Sequence, residues 1–125
     1  MSRVWVTQEP VNFDRATGQV TSKLDYAAAE LFGEVVFLVS SSAKPWDPDV
    51  VNEIKAKLGH PQTGFRPGDW LLLGGNPSFI AMASALVADF MDGQLHLLQY
   101  HGKDQKFVPV TAQMWEPEQQ EGASF

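Results

Sequence analysis

The sequence predicts an α/β fold: a three-layer, Rossmann-like, mostly parallel sheet of about five strands, with helices on both faces and a C-terminal β-hairpin. Three observations carry this expectation. Short β-branched and aromatic runs alternate with segments of helical spacing, the pattern of a parallel sheet joined by right-handed crossovers. The run Val35 to Val39 and the run Trp70 to Leu73 are apolar at every position, as strands covered on both faces are. Two strand-to-helix turns carry a cap followed by proline, Asp47-Pro48 and Asn76-Pro77, which suits the first turn of a helix.

Each element follows from local chemistry. Arg3-Val4-Trp5-Val6-Thr7 is a strand, and Gln8-Glu9-Pro10 ends it, because proline cannot continue a ladder. Residues 11–24 are polar, with Gly18 at a turn, and are expected to form a long loop. Asp25 caps a short helix from Tyr26 to Phe32, rich in alanine and stopped by Gly33. Glu34 to Val39 is the second strand. Ser40 to Trp46 is a polar loop. Val50, Val51, Ile54 and Leu58 then recur at helical spacing until Gly59. Asp69 to Leu73 is the third strand. A wide-faced helix runs from about Pro77 to Met91 and is stopped by Asp92-Gly93. Gln94 to Tyr100 and Phe107 to Val110 are the last strands, joined by Gly102-Lys103-Asp104-Gln105 as a hairpin loop. Pro109 marks the fifth strand as an edge.

At 125 residues, the chain has the size of one domain. That domain is expected over residues 1–114, followed by a disordered acidic tail over 115–125. There is no cysteine, which removes disulfides, thiolate metal sites and thiol nucleophiles together. The net charge is −6, and the nine basic residues are scattered. An acidic chain without a basic stripe is a poor fit to non-specific nucleic acid binding or to anionic lipid. The most apolar stretch, near residues 79–91, is broken by Ser84 and Asp89 and is too short to span a bilayer. The N-terminus enters a strand directly, without the apolar core of a signal peptide. The expected location is the cytoplasm.

Ligands of open parallel sheets bind beyond the carboxyl ends of the strands, where strand order reverses. Those ends present Gln8 and Glu9, then Ser40-Ser41-Ser42, then Gly74-Gly75-Asn76, then Tyr100 and His101. The turn Gly74-Gly75-Asn76-Pro77-Ser78 is the sharpest feature. Its glycines allow a close backbone approach, and the helix start offers N–H groups to an anion. A tight turn between strand and helix needs glycine anyway, and Asn-Pro is ordinary capping chemistry. The third glycine of a dinucleotide fingerprint and the Lys-Ser/Thr of a P-loop are both missing. Gly74, Gly75, Asn76, Ser78 and Ser40 are therefore the expected ligand-binding residues. No residue is assigned as catalytic; Glu9 with His101 is the weaker acid–base candidate. No glycine-flanked nucleophile elbow surrounds the serines. His60, His96 and His101 lack metal spacing, and Asp14, Asp47, Asp49 and Glu53 include no paired carboxylates at a strand end. No metal and no cofactor is expected. Trp5 and Trp70 are expected in the core. Trp46, beside Lys44 and Pro45, is a candidate contact, but the favoured expectation is that its ring folds back onto the core.

Three stretches carry a family resemblance: Val6-Thr7-Gln8-Glu9-Pro10-Val11-Asn12-Phe13-Asp14, Ala29 to Leu38, and Leu72-Leu73-Gly74-Gly75-Asn76-Pro77. With them the chain resembles small uncharacterised proteins encoded by bacteriophages, over nearly its whole length. The resemblance implies expression in an infected bacterial cytoplasm and carries over no catalytic residues.

The favoured function is a non-catalytic binding or accessory protein that engages a host or viral macromolecule. The alternatives are a binder of a small anionic or nucleotide-like ligand at the strand rim, or an enzyme acting on such a ligand. A protein partner, a small anion and a homo-oligomer are all compatible with the composition.

Overall fold

Residues 2–22 and 24–117 are described in the computed structural model of the chain. Arg3–Gln8 forms β1, and the sheet is built outward from it. A short antiparallel hairpin follows, β2 at Val11–Phe13 and β3 at Val20–Ser22. The main sheet continues with β4 at Glu34–Val39, β5 at Trp70–Leu72, β6 at Gln94–His101 and β7 at Lys106–Gln113. Helix α1 spans Pro48–Leu58 and α2 spans Pro77–Phe90. The strand order is β4-β1-β5-β6-β7. The first four of these are parallel, and β7 returns antiparallel against β6.

The connections run in opposite directions from β1, so the strand order reverses there. The chain leaves β1 towards β4, then crosses back over β1 to β5. Two such crossovers share one hand only if they lie on opposite faces, and they do. Alternation along β1 divides the core accordingly. Trp5 faces one side with Leu38, Ile54, Leu58, Leu71, Phe79, Ala83 and Val87. Val4 and Val6 face the other with Ala29, Leu72, Leu98 and Phe107.

Both α-helices pack on the Trp5 side. The opposite side is covered by residues 24–32, through Leu24, Tyr26, Ala28 and Phe32. The helices expected on both faces are thus two helices on one face and a compact non-α segment on the other. The expected helix from Tyr26 to Phe32 is a run of turns ending in a single 3₁₀ turn, Ala29–Leu31. Nucleating an α-helix fixes several residues for the first hydrogen bond, and seven residues do not extend it far enough to recover that cost. Asp25 closes the first of these turns, its Oδ1 accepting from the Ala27 N–H at 3.0 Å, but the N-cap of the 3₁₀ turn is Ala28, which makes no side-chain cap.

Two other expectations are corrected. The loop expected over 11–24 contains the β2–β3 hairpin; Gly18 turns it with φ +72°. The second strand, β4, has α1 on one face and the 3₁₀ turn on the other, as expected, but the cover is incomplete, with Phe37 40% exposed, and β4 is an edge of the sheet. Pro109 lies on the opposite edge strand, as its chemistry requires. The helix caps are as expected: Asp47 accepts from the Asp49 N–H and Asn76 from the Ser78 N–H. Trp5 is buried and Trp70 half-buried. At the C-terminus, Trp115 lies against Gly93; residues 118–125 of the expected tail fall outside the described residues. Among the described residues, no helix is long and apolar enough to cross a membrane.

Candidate functional site

The reversal at β1 places the candidate site between the carboxyl ends of β1 and β5. Two buried polar side chains of β1 fill that position, Thr7 and Gln8. Thr7 points into the turn after β5. Its hydroxyl accepts from the Gly74 N–H at 2.9 Å and donates to the Gly74 carbonyl at 2.5 Å. One threonine therefore satisfies both backbone groups of Gly74, which is buried beyond the reach of a ladder partner.

Gln8 ties three segments together. Its Nε2 donates to the Ser40 carbonyl at 2.9 Å and lies 3.4 Å from the carbonyls of Ser41 and Ala43. Its Oε1 accepts from the Asn76 N–H at 2.9 Å. The side chain lies flat against Gly75, which adopts φ +79°; a Cβ there would collide with the Gln8 Cβ. Gly75 is needed for its left-handed backbone and for this close approach together.

The expected ligand-binding residues therefore converge on one rim, with most of their donors in use. The N–H groups of Gly74, Asn76 and Ser78 go to Thr7, Gln8 and Asn76 respectively. Pro77 has none to offer. Those of Phe79 and Ile80 return to the Asn76 carbonyl. Ser40 Oγ lies 3.3 Å from Ser42 Oγ and is exposed to solvent. An anion at this helix start would have to displace existing bonds. A panel of nucleotides and sugar phosphates at millimolar concentration is accordingly expected to leave the melting temperature unchanged. A ligand at a hundred times its dissociation constant would add about 2.7 kcal/mol, a rise on the order of 10 °C, and such a rise would restore the anion site.

Glu9 and His101 stand apart. The register Val6–Leu72 and Leu72–Leu98 puts β5 between their strands, so their backbones are about 10 Å apart, two strand spacings. His101 Nδ1 instead meets Asp104 Oδ2 at 3.2 Å within the β6–β7 hairpin. His60 has a local role: its Nδ1 accepts from the Gln62 and Thr63 N–H groups, each at 3.1 Å. His96 packs against the Trp70 ring. The carboxylates considered for a cation are also engaged locally. Asp14 accepts from Ala16 N–H, Asp47 from Asp49 N–H, and Glu53 pairs with Lys57 at 2.9 Å. Among the described residues, no three His, Asp or Glu side chains cluster to hold a metal.

The same rim carries Trp46. Its loop begins at the three carbonyls that face Gln8 and ends at the Asp47 cap of α1. Within it, the Ala43 N–H donates to the Ser40 carbonyl and the Asp47 N–H to the Lys44 carbonyl, each at 3.1 Å. The loop backbone is thus fixed at both ends, yet the Trp46 side chain is 75% exposed. The Lys44 ammonium lies over the ring, 5.8 Å from its centre.

A second polar cluster occupies the opposite end of the sheet, and it is one the sequence did not mark. Asp69, only 4% exposed, accepts from the Arg3 N–H at 2.9 Å, the Trp5 indole N–H at 3.0 Å and the Arg66 N–H at 3.1 Å. Arg3 Nη1 donates to the Thr63 carbonyl at 2.7 Å beside it. A cavity of about 230 Å³ lies there, lined by Arg3, Glu34, Gln62, Gly64, Arg66 and Asp69. The carboxylate is spent on fixing the start of β1 to the loop before β5.

A family model described as Phage Pam3 gp32-like protein matches residues 2–114. The match covers most of the chain, which therefore belongs to this family. No curated protein and no solved structure matches it.

Proposed function

We propose that this member of the phage Pam3 gp32-like family is a non-catalytic binding protein that engages a host or viral macromolecule, in the cytoplasm of an infected bacterium, through the rim around Trp46. The observation that supports this is the exposure of Trp46 on a loop anchored at both ends. A tryptophan left 75% in water forgoes burial of a large apolar surface. Fixing the loop beforehand lowers the entropy lost on binding, and an aromatic anchor of this kind carries much of the energy of an interface.

The arrangement of the rim supports binding over catalysis. Glu9 and His101 are separated by a strand, and His101 is engaged with Asp104. The turn at Gly74 to Ser78 serves as a support for the loop carbonyls through Gln8. The small-anion reading has the weaker footing, because an anion would compete with Thr7, Gln8 and Asn76 for the same N–H groups.

The test compares immobilised wild-type chain with Trp46→Ala in lysate of infected cells, with retained proteins quantified by mass spectrometry. At least one protein is expected to be retained by the wild type and reduced about thirtyfold by Trp46→Ala, the effect of losing a contact of about 2 kcal/mol. Lys103→Ala, an exposed change in the β6–β7 hairpin, should leave retention intact. Equal retention by all three chains would remove Trp46 from the proposal.

A further inference from the structure

The two edges of the sheet are built differently. Along β7, the Leu73 N–H donates to the Leu98 carbonyl at 3.2 Å, so Leu98 turns its backbone groups towards β5. Its partner across the ladder is Pro109. In an antiparallel pair of this type both residues turn away from each other, so the missing N–H of Pro109 falls on the outer edge. Proline there blocks the addition of another strand.

The β4 edge has no such protection. The Glu34 N–H donates to the Ser2 carbonyl at 3.1 Å. By alternation, Glu34, Val36 and Leu38 turn their backbone groups to β1, while Val35, Phe37 and Val39 turn theirs outward. These outward residues belong to an apolar run free of proline and lysine. Phe37, 40% exposed, stands at its centre, edge-on to Tyr26 at 5.5 Å. The 3₁₀ turn that packs against β4 carries Leu31, 87% exposed. An apolar edge with free backbone groups is a template for strand pairing.

We propose that β4 pairs antiparallel with β4 of a second copy, about a two-fold axis at Phe37, joining two sheets into one. The occupant is a second copy because the strand is complementary to itself. The axis brings Phe37 opposite Phe37, and Val35 opposite Val39 in both directions. All the outward groups of these three residues then pair, making about six backbone hydrogen bonds. The one charged residue of the strand, Glu34, falls opposite Ser40, so no like charges meet even though each chain carries a net charge of −6. One strand pair with Phe37 and Leu31 at its border is smaller than a standard stable interface of about 1,200–2,000 Å². The association is therefore reversible and depends on concentration. It is independent of the Trp46 proposal, which involves the strand rim rather than this edge.

Sedimentation equilibrium of the full chain from about 1 to 500 μM tests it. The wild type is expected to pass from monomer to dimer across this range. Phe37→Lys and Phe37→Glu, each placing like charges across the axis, should each raise the dissociation constant at least tenfold. An equimolar mixture of the two should recover association, as opposite charges then face each other. That recovery cannot arise from misfolded variants. A wild type that stays monomeric throughout, a dimer that tolerates both substitutions, or a mixture that fails to recover would each overturn the proposal.

Discussion

Asp69→Ala is expected to destabilise the protein by about 3–5 kcal/mol, a large part of the 5–15 kcal/mol typical of a domain. The carboxylate is buried and is the acceptor for three N–H groups, from Arg3, Trp5 and Arg66. Alanine removes the acceptor and leaves the donors in place. Each buried donor without a partner costs about 1–3 kcal/mol, and the Arg66 amide, on an exposed residue, recovers part of its loss from water. Urea denaturation would measure the change. Asp69→Asn keeps one oxygen and should lose about half as much. Trp5→Phe in the alanine background should cost at least 1 kcal/mol less than in the wild type, because its indole N–H has already lost its acceptor. A loss below 1 kcal/mol for Asp69→Ala would mean that the three donors do not depend on it.

Gly75→Ala should cost about 2–4 kcal/mol, and the damage should centre on the rim. Two penalties act together. A φ of +79° is strained for any side chain, and the new methyl would lie well inside contact distance of the Gln8 Cβ. Gln8 must then move, releasing the Ser40 carbonyl and the Asn76 N–H. Hydrogen exchange is expected to accelerate at Asn76 and Ala43 beyond the change in global stability. Gly18→Ala is the control: its φ is +72°, but a Cβ there meets nothing within 4 Å, so only the strain of about 1 kcal/mol applies. Equal effects at the two glycines would show that the contact with Gln8 contributes nothing.

Residues that answer to local chemistry were the legible ones. Asp47-Pro48 and Asn76-Pro77 read correctly as helix starts, because a cap and its proline act within one turn. Pro109 read correctly as an edge, because a missing N–H has the same consequence in any sheet. The β4 run read as a covered strand because Val35 to Val39 are apolar on both faces. That reading holds for the faces, which α1 and the 3₁₀ turn cover in part, but periodicity does not report whether a second ladder neighbour arrives, and here the sheet ends. The β2–β3 hairpin escaped because Val11–Phe13 and Val20–Ser22 are too short to show a period of two.

The site followed the same division. Gly74 to Ser78 was recognised as a turn, yet what occupies it was not. Thr7 and Gln8 act across 67 and 68 residues of chain to reach Gly74 and Asn76, and no local pattern announces such a pairing. A weak signal existed: two polar residues close an apolar strand. Asp69 gave even less warning, since aspartate before a strand is ordinary. Its importance appears only when the indole of Trp5, 64 residues away in sequence, is found against it.

The position of β1 in the sheet has a consequence for synthesis. The first strand of this sheet to be made is an inner one, and its neighbours come later: β4 begins at Glu34 and β5 ends at Leu72, 66 residues after its partner Val6. At about 5–20 residues per second, the ribosome needs roughly 3–13 s to supply that second neighbour. During that interval the apolar strand Val4-Trp5-Val6 has an open flank. The β6–β7 ladder closes last and quickly, by a short local turn. The nascent chain is thus most exposed to misassociation at β1, and the β1–β5 ladder cannot form until Leu72 has been made.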